Sequence, residues 1–153
     1  MNRCGIRLAL YQPDIPGNTG TILRMAACLG VAVDLIEPAG FDLSDRALKR
    51  AGMDYLELAA LHRHPSWEDF EHWRRQEGRR LLLFSTRGAV PYTSFSFRDG
   101  DILLMGRESV GVPDNVHEAA NCRLRIPMRD ETRSLNVALA AAMACGEALR
   151  QTR

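Results

Sequence analysis

The sequence is almost without lysine: Lys49 stands alone, and every other basic residue is arginine. Cysteine is sparse too. Cys4, Cys28, Cys122 and Cys145 lie far apart and form no CxxC pair, so reduced thiols are expected rather than a disulfide frame or a zinc site. No apolar run approaches the roughly 18 to 20 residues that a membrane span needs. Met1 to Gly5 carry no signal-peptide pattern and lead directly into a strand-like run. GxGxxG is missing, which speaks against a nicotinamide-type dinucleotide site. An excess of one charge is missing as well: at +1 the chain has no global pull toward nucleic acid. There is no internal repeat, low-complexity stretch or linker.

What is present fits one ordinary domain. The 153 residues are 46% hydrophobic and 25% charged, enough for a real core. A single domain over 1–153 is expected, with no appended RNA-binding domain, in the cytoplasm. Arginine in place of lysine offers planar forks that bind phosphate bidentately and stack on bases. A compositional bias accounts for it equally well.

Strand-like and helix-like runs alternate from end to end. Strands are expected at 6–11, 31–36, 55–59, 81–85, 102–105 and 123–126. Helices are expected at 20–29, 44–51, 66–76, 113–120 and 134–150. The runs at 81–85 and 102–105 are continuously apolar, as in strands buried on both faces. The alternation predicts an α/β domain with a mostly parallel sheet flanked by helices.

Three segments that follow strands carry the candidate chemistry. The first is Pro13-Asp14-Ile15-Pro16-Gly17-Asn18-Thr19-Gly20, leading to Arg24. Its prolines and glycines fix the backbone path and allow close approach to a ligand. Arg24 falls near the start of the expected helix, where a cation opposes the dipole. It is either a surface arginine beside a turn or a functional group. The second segment is Gly106-Arg107-Glu108-Ser109-Val110-Gly111-Val112-Pro113. There Glu108 could serve as base, acceptor or partner of an arginine, or belong to a plain strand-to-helix turn. The third runs from Ile126 through Ser134 and Asn136 into an Ala-rich helix. Ser134 reads as an N-cap or as a ligand group; Asn136 is a mediocre helix former and so a candidate for function. The alanines, with Leu135, Leu139, Met143 and Leu149, suggest either core packing or, preferably, a self-association face.

Other residues carry less. His62 and His64 flank Arg63 without a Cys or carboxylate cluster at ligand spacing, so no metal is expected. Trp67 and Trp73 read as packing residues. Arg74, Arg75, Arg79 and Arg80 form a local basic cluster, either a solvated face or a phosphate track.

In order, PxNxGxxxR (Pro16, Asn18, Gly20, Arg24), GxExxGxP (Gly106 to Pro113) and IPM…RSLNVAxAxA (Ile126 to Ala142) resemble the SPOUT superfamily of RNA methyltransferases, SpoU/TrmH type. The compact length is most similar to the tRNA 2′-O-methyltransferases of the wobble nucleotide, cytidine or uridine 34. The resemblance implies a deep C-terminal trefoil knot, an exception among folds. It implies S-adenosylmethionine as cofactor, S-adenosylhomocysteine as product, tRNA as substrate, and a homodimer through the C-terminal helix that completes the site. It places Phe84, Gly106, Ile126 and Ser134 against the cofactor, and Asn18, Arg24, Glu108 and Asn136 toward the substrate, with Arg24 catalytic. A guanidinium does not deprotonate at physiological pH. Arg24 is therefore expected to hold the RNA phosphate and ribose, with deprotonation assisted by that phosphate. Rival expectations are 2′-O-methylation at another tRNA or rRNA position, and a catalytically silent RNA-binding dimer. The chain departs from close relatives at Arg107 and at Ser109-Val110, where they often carry Pro and Thr-Arg.

Overall fold

The computed structural model describes residues 5–42 and 60–153, with Arg46 and Arg50 between them. Most of the expected helix at 44–51 and the whole expected strand at 55–59 lie outside the described residues.

β1 (Arg7–Tyr11), β2 (Ala32–Ile36), β3 (Leu61–His64), β4 (Leu81–Phe84), β5 (Val90–Pro91), β6 (Ile102–Met105) and β7 (Cys122–Arg125) form one sheet, in the order β3-β2-β1-β6-β4-β7-β5. All six pairings are parallel. The central strands read RLALY, LLLF and ILLM because both faces are covered. Leu8, Leu10, Leu82, Leu103 and Met105 pack on one side with helices α1 (Pro16–Leu29) and α4 (Val137–Thr152). Ala9, Tyr11, Leu83, Ile102 and Leu104 face the other side, against α2 (Trp67–Glu77) and the short α3 (Asp114–Ala119). This period-two division follows from the pleat.

Local chemistry sets the helix ends. Gly30 and Gly78 adopt left-handed φ values of 69° and 67° and cap α1 and α2. Ser66 Oγ accepts from the Asp69 N–H at 3.1 Å and starts α2. Two expected starts are corrected. α1 begins at Pro16, not Gly20, because proline suits the first helical position, where no intrahelical donor is needed. Arg24 therefore lies two turns into the helix, and the dipole penalty assigned to it does not apply. α4 begins at Val137: Asn136, not Ser134, is its N-cap, and Asn136 Oδ1 accepts from the Ala138 and Leu139 N–H groups at 2.8 and 3.3 Å.

The sheet order contains one unusual crossing. β7 lies between β4 and β5, pairing with both. The chain leaves β4 at Phe84, passes over the end of β7 at residues 85–89, and returns as β5 on its far side. The Ser85 N–H donates to Leu124 O at 2.9 Å, and Arg125 Nη1 donates to Ala89 O at 2.7 Å. At Gly88 the two backbones touch: a Cβ there would sit 2.4 Å from the Leu124 carbonyl carbon.

α4 has two faces. Ala138, Ala141, Ala144, Cys145 and Ala148 are buried in the chain's own core, so most of the alanines serve packing. On the outward face Leu139 and Met143 are exposed to 58% and 43%, and Leu135, just before the helix, to 37%.

Candidate active site

The loops after β1, β4, β6 and β7 leave neighbouring strands at the same edge of the sheet. In open parallel sheets the crevice beyond the carboxyl ends of the strands is where ligands bind. Here these loops, with the start of α4, enclose a cavity of about 540 Å³, within the range of roughly 300–1,000 Å³ of small-molecule sites. Asn18, Phe84, Gly106, Glu108, Ile126, Ser134 and Asn136 all line it. These are the expected site residues except Arg24, which is not among the lining residues. Arg24 is exposed on α1, about 9 Å along the helix axis from Asn18 at 1.5 Å per residue.

Three hydrogen bonds bind the walls together. Asn136 Nδ2 donates to Asn18 Oδ1 at 3.0 Å, joining the first and third motifs. On the opposite wall the Asp14 N–H donates to Glu108 Oε2 at 3.2 Å, and Ser109 Oγ donates to Asp14 Oδ2. Burial first, then the Asp14 carboxyl beside it, pushes Glu108 above the usual carboxylate range. The hydrogen bond from Glu108 holds Asp14 below it, with help from Ser109.

Residues 107–111 form a tight hairpin, with N–H to O bonds in both directions at 3.0 and 2.9 Å. Gly111 has φ 69°, and a Cβ on Gly106 would come within 2.9 Å of the Gly111 backbone. Glycine at both positions is what lets this loop fold flat against the cavity. The lining is partly apolar, through Phe84, Met105, Val112 and Ile126, and partly cationic, through Arg87, Arg107 and Arg133. The Arg107 guanidinium lies over the Tyr11 ring, 5.4 Å from its centroid.

Asp14 and the three lining arginines were not among the expected site residues. The signal for Asp14 is the strand pairing: Leu10 lies opposite Met105, so residues a few positions beyond each strand become neighbours.

The basic cluster near residue 74 is corrected from a solvated face. Arg74 is buried against Glu71 and Arg79 O, Arg79 is buried with Nη1 on Gly100 O, and Arg80 pairs with Asp101 at 2.6 Å. Only Arg75 of the four is exposed. The histidines are also differently placed than expected. Pairing of β2 with β3 brings buried Asp34 to them, and one ligand atom each from Asp34, His62 and His64 lies within 4.8 Å of the others. Both Asp34 oxygens are already engaged: Arg7 donates to them at 2.8 and 2.9 Å, and His64 Nε2 lies 2.9 Å from Oδ1. A guanidinium in that position competes directly with any metal ion. Trp73 packs there, with Arg7 and Arg79 over its ring at 5.0 and 5.8 Å.

A parallel α/β sheet with a cavity beyond its strand ends, walled by three separate motifs, defines an open α/β protein with a small-molecule site. The SpoU rRNA Methylase family matches residues 5–146, and the chain belongs to that family. It is 62% identical over 144 residues to a tRNA (cytidine(34)-2'-O)-methyltransferase of Beijerinckia indica, covering 94% of this chain and 90% of that protein. A solved structure described as "Structural insights into the 2-OH methylation of C/U34 on tRNA" superposes with a TM-score of 0.91 at 43% identity, covering 98% and 97% of the two chains. The SpoU methyltransferase AviRb of Streptomyces viridochromogenes, solved with AdoMet, gives a TM-score of 0.89 at 28% identity, covering 99% of this chain and 62% of that one.

Proposed function

We infer that this chain is a tRNA 2′-O-methyltransferase, moving a methyl group from S-adenosylmethionine to the ribose 2′-hydroxyl of cytidine or uridine 34. The observation that carries the reading is the convergence of all three motifs on one cavity, in a chain so similar along its length to enzymes of that name.

The cavity fits the cofactor by its own chemistry. Its floor is half apolar, its glycine hairpin leaves room for close main-chain contact, and its far wall ends in Ser134 and Asn136. Phe84, Gly106, Ile126 and Ser134 are the residues that would hold it. When bound, S-adenosylmethionine supplies an electrophilic methyl group on a sulfonium centre, so the protein's task is alignment, exclusion of water and help with one proton. No metal is assigned a role.

The chain's own residues divide that task. Asn136 caps α4 with its oxygen and fixes Asn18 with its amide, which orients both for the nucleotide. Arg87, Arg107 and Arg133 give the mouth a positive lining suited to phosphate. Arg24 holds the RNA phosphate and ribose, and that phosphate assists removal of the 2′-hydroxyl proton. Because Arg24 does not line its own chain's cavity, it acts on the cavity of a second subunit. The exposed Leu139 and Met143 of α4, with Leu135 just before the helix, supply the dimer face; apolar groups so arranged on a surface mark association sites.

The crossing of residues 85–89 over β7 supports a knot in the C-terminal part of the chain. Among the described residues no helix is long and apolar enough to cross a membrane; with a tRNA substrate, the reaction is assigned to the cytoplasm.

The test is mass mapping of ribose methylation in tRNA from a strain lacking the protein. Loss of the methyl group at the wobble nucleotide is expected, with restoration by the wild-type chain but not by Arg24→Ala. An unchanged wobble nucleotide with a methyl group lost elsewhere in tRNA or rRNA would reassign the substrate.

A further inference from the structure

Two carboxyl groups meet where the loop opening α1 lies against the hairpin 106–112. The Asp14 N–H and the Ser109 hydroxyl tie the two loops at one edge. The remaining Asp14 oxygen, Oδ1, is buried and accepts no hydrogen bond from a described donor. A buried acceptor left without a donor is unfavourable, and two ionised carboxylates side by side are more so. Glu108, half-buried beside Asp14, relieves the repulsion if it keeps its proton. It then donates to Asp14, and the pair carries one negative charge instead of two.

Among the described residues, the neighbours of the pair are uncharged or engaged elsewhere. Arg107, next in the chain, turns its guanidinium onto the Tyr11 ring and Gly111 O. From the loop after β2, uncharged Gly40 packs against Asp14, where a Cβ would come within 3.0 Å of the Asp14 Cα, and its N–H donates to Pro13 O. Ser109 contributes a hydroxyl. Among the described residues, the charged and titratable groups that these contacts place at the junction are Asp14, Glu108, Arg107 and Tyr11.

We propose that Asp14 is a positioning residue of the methyl-transfer site. By sharing a proton with Glu108, it holds the hairpin 106–112 in the shape that binds cofactor. It does so while tying that hairpin to the loop that carries Asn18. The proposal rests on the reading of this hairpin as a cofactor wall. Its consequence is a proton-linked latch: when the shared proton is lost as pH rises, the carboxylates repel and the hairpin loosens.

The test is calorimetric titration of the full-length protein with S-adenosylhomocysteine, from mildly acidic to alkaline pH. The wild type is expected to weaken by about five- to tenfold as pH rises, on the order of one hydrogen bond. Asp14→Asn donates an amide N–H to Glu108 without a titrating proton, and Glu108→Gln is neutral throughout. Both should bind with an affinity that does not follow this fall. Asp14→Ala should bind about fivefold more weakly than the wild type at the acidic end and show no further fall as pH rises, with an unchanged melting profile. Titration of the probe's own amino group is common to all variants, so the difference between variants is what is read. An Asp14→Asn protein with the wild-type pH dependence would overturn the latch while leaving the cofactor site intact. A folded wild type that binds no S-adenosylhomocysteine at any pH would overturn the cofactor reading and the latch with it.

Discussion

Asn136 and Asn18, 118 positions apart in sequence, are joined by a 3.0 Å side-chain hydrogen bond at the mouth of the cavity. The same Asn136 caps α4 through its oxygen. One side chain therefore both starts a helix and fixes a substrate-facing group, and the two duties can be separated.

Asn136→Asp keeps the capping oxygen and loses the amide donor. It should melt within a few degrees of the wild type yet lose most methyl transfer. Asn136→Ala loses both and should also be destabilised by about 1 kcal/mol, the usual cost of a lost cap. Thermal melts beside a tritiated-methyl assay read both quantities. Full activity in Asn136→Asp would show that the contact with Asn18 has no role.

How far the sequence revealed this site differs from element to element. β4 and β6 were legible because strands covered on both faces must be continuously apolar, and LLLF and ILLM are. β3, reading LHRH, and β5, reading VP, were not, because short polar edge strands have no such signature. The start of α4 reads two residues early, because Ser134 is itself a good capping residue; only the bonds from the Ala138 and Leu139 N–H groups to Asn136 Oδ1 place the cap at Asn136. Motif residues were legible as a set, but their division between walls was not. The Asp14–Glu108 junction depends on β1 lying beside β6, and the crossing depends on β7 lying between β4 and β5. Such neighbours are fixed by long-range strand order, about which local periodicity says nothing.

Stability should fall in mild acid because of His62. His62 is held below its ordinary value of 6.5, by burial first and by the adjacent His64 second. Its ring centroid lies 4.0 Å from that of His64. The unfolded chain thus takes up this proton at a higher pH than the folded one. Stability contributed by neutral His62 is present above 6.5 and is lost as pH drops below it. Melting temperature recorded against pH should slope downward there, and His62→Gln should flatten the slope; an unchanged slope in that variant would assign it elsewhere.

Asp34 governs a separate, more acidic window. Burial pushes its carboxyl up, but the hydrogen bonds from His64 and Arg7 outweigh that and leave it below its ordinary 3.8. Its contribution is complete above that value and disappears as pH falls toward the lowered one. Asp34→Asn removes the charge that Arg7 needs, with Arg7 only 15% exposed. A loss of about 3–5 kcal/mol is expected, as when one partner of a buried ion pair is removed, read by urea unfolding at neutral pH.

The outward face of α4 should control assembly. Leu139, the most exposed of its apolar residues at 58%, contributes nothing to the chain's own core. Leu139→Asp should therefore leave the circular dichroism spectrum unchanged while light scattering reports a monomer in place of a dimer. Methyl transfer should be lost with the dimer, since Arg24 lies outside its own chain's cavity. A second experiment isolates that sharing: mixed dimers of Arg24→Ala with Gly106→Val chains should recover activity that neither homodimer has. Failure to recover it in confirmed mixed dimers would place Arg24 and the cavity in the same subunit.

The crossing at residues 85–89 leaves Gly88 no room for a side chain. Its φ is not in the left-handed region, so backbone conformation alone would tolerate alanine. Space would not: the added Cβ meets Leu124 C and O at 2.4 and 2.5 Å and Arg125 N at 2.9 Å, all main-chain atoms of a strand paired on both sides. Neither backbone can retreat without breaking the pairing of β7 with β4 or β5. Gly88→Ala should cost about 3 kcal/mol or more, the upper end of overpacking penalties, and should weaken cofactor binding because Phe84 and Ile126 flank the same crossing. Gly146→Ala, on the exposed side of α4 with nothing within 4 Å of its Cβ, is the control and should be neutral or slightly stabilising. Equal urea midpoints for the two variants would mean that the crossing is looser than its contact distances imply.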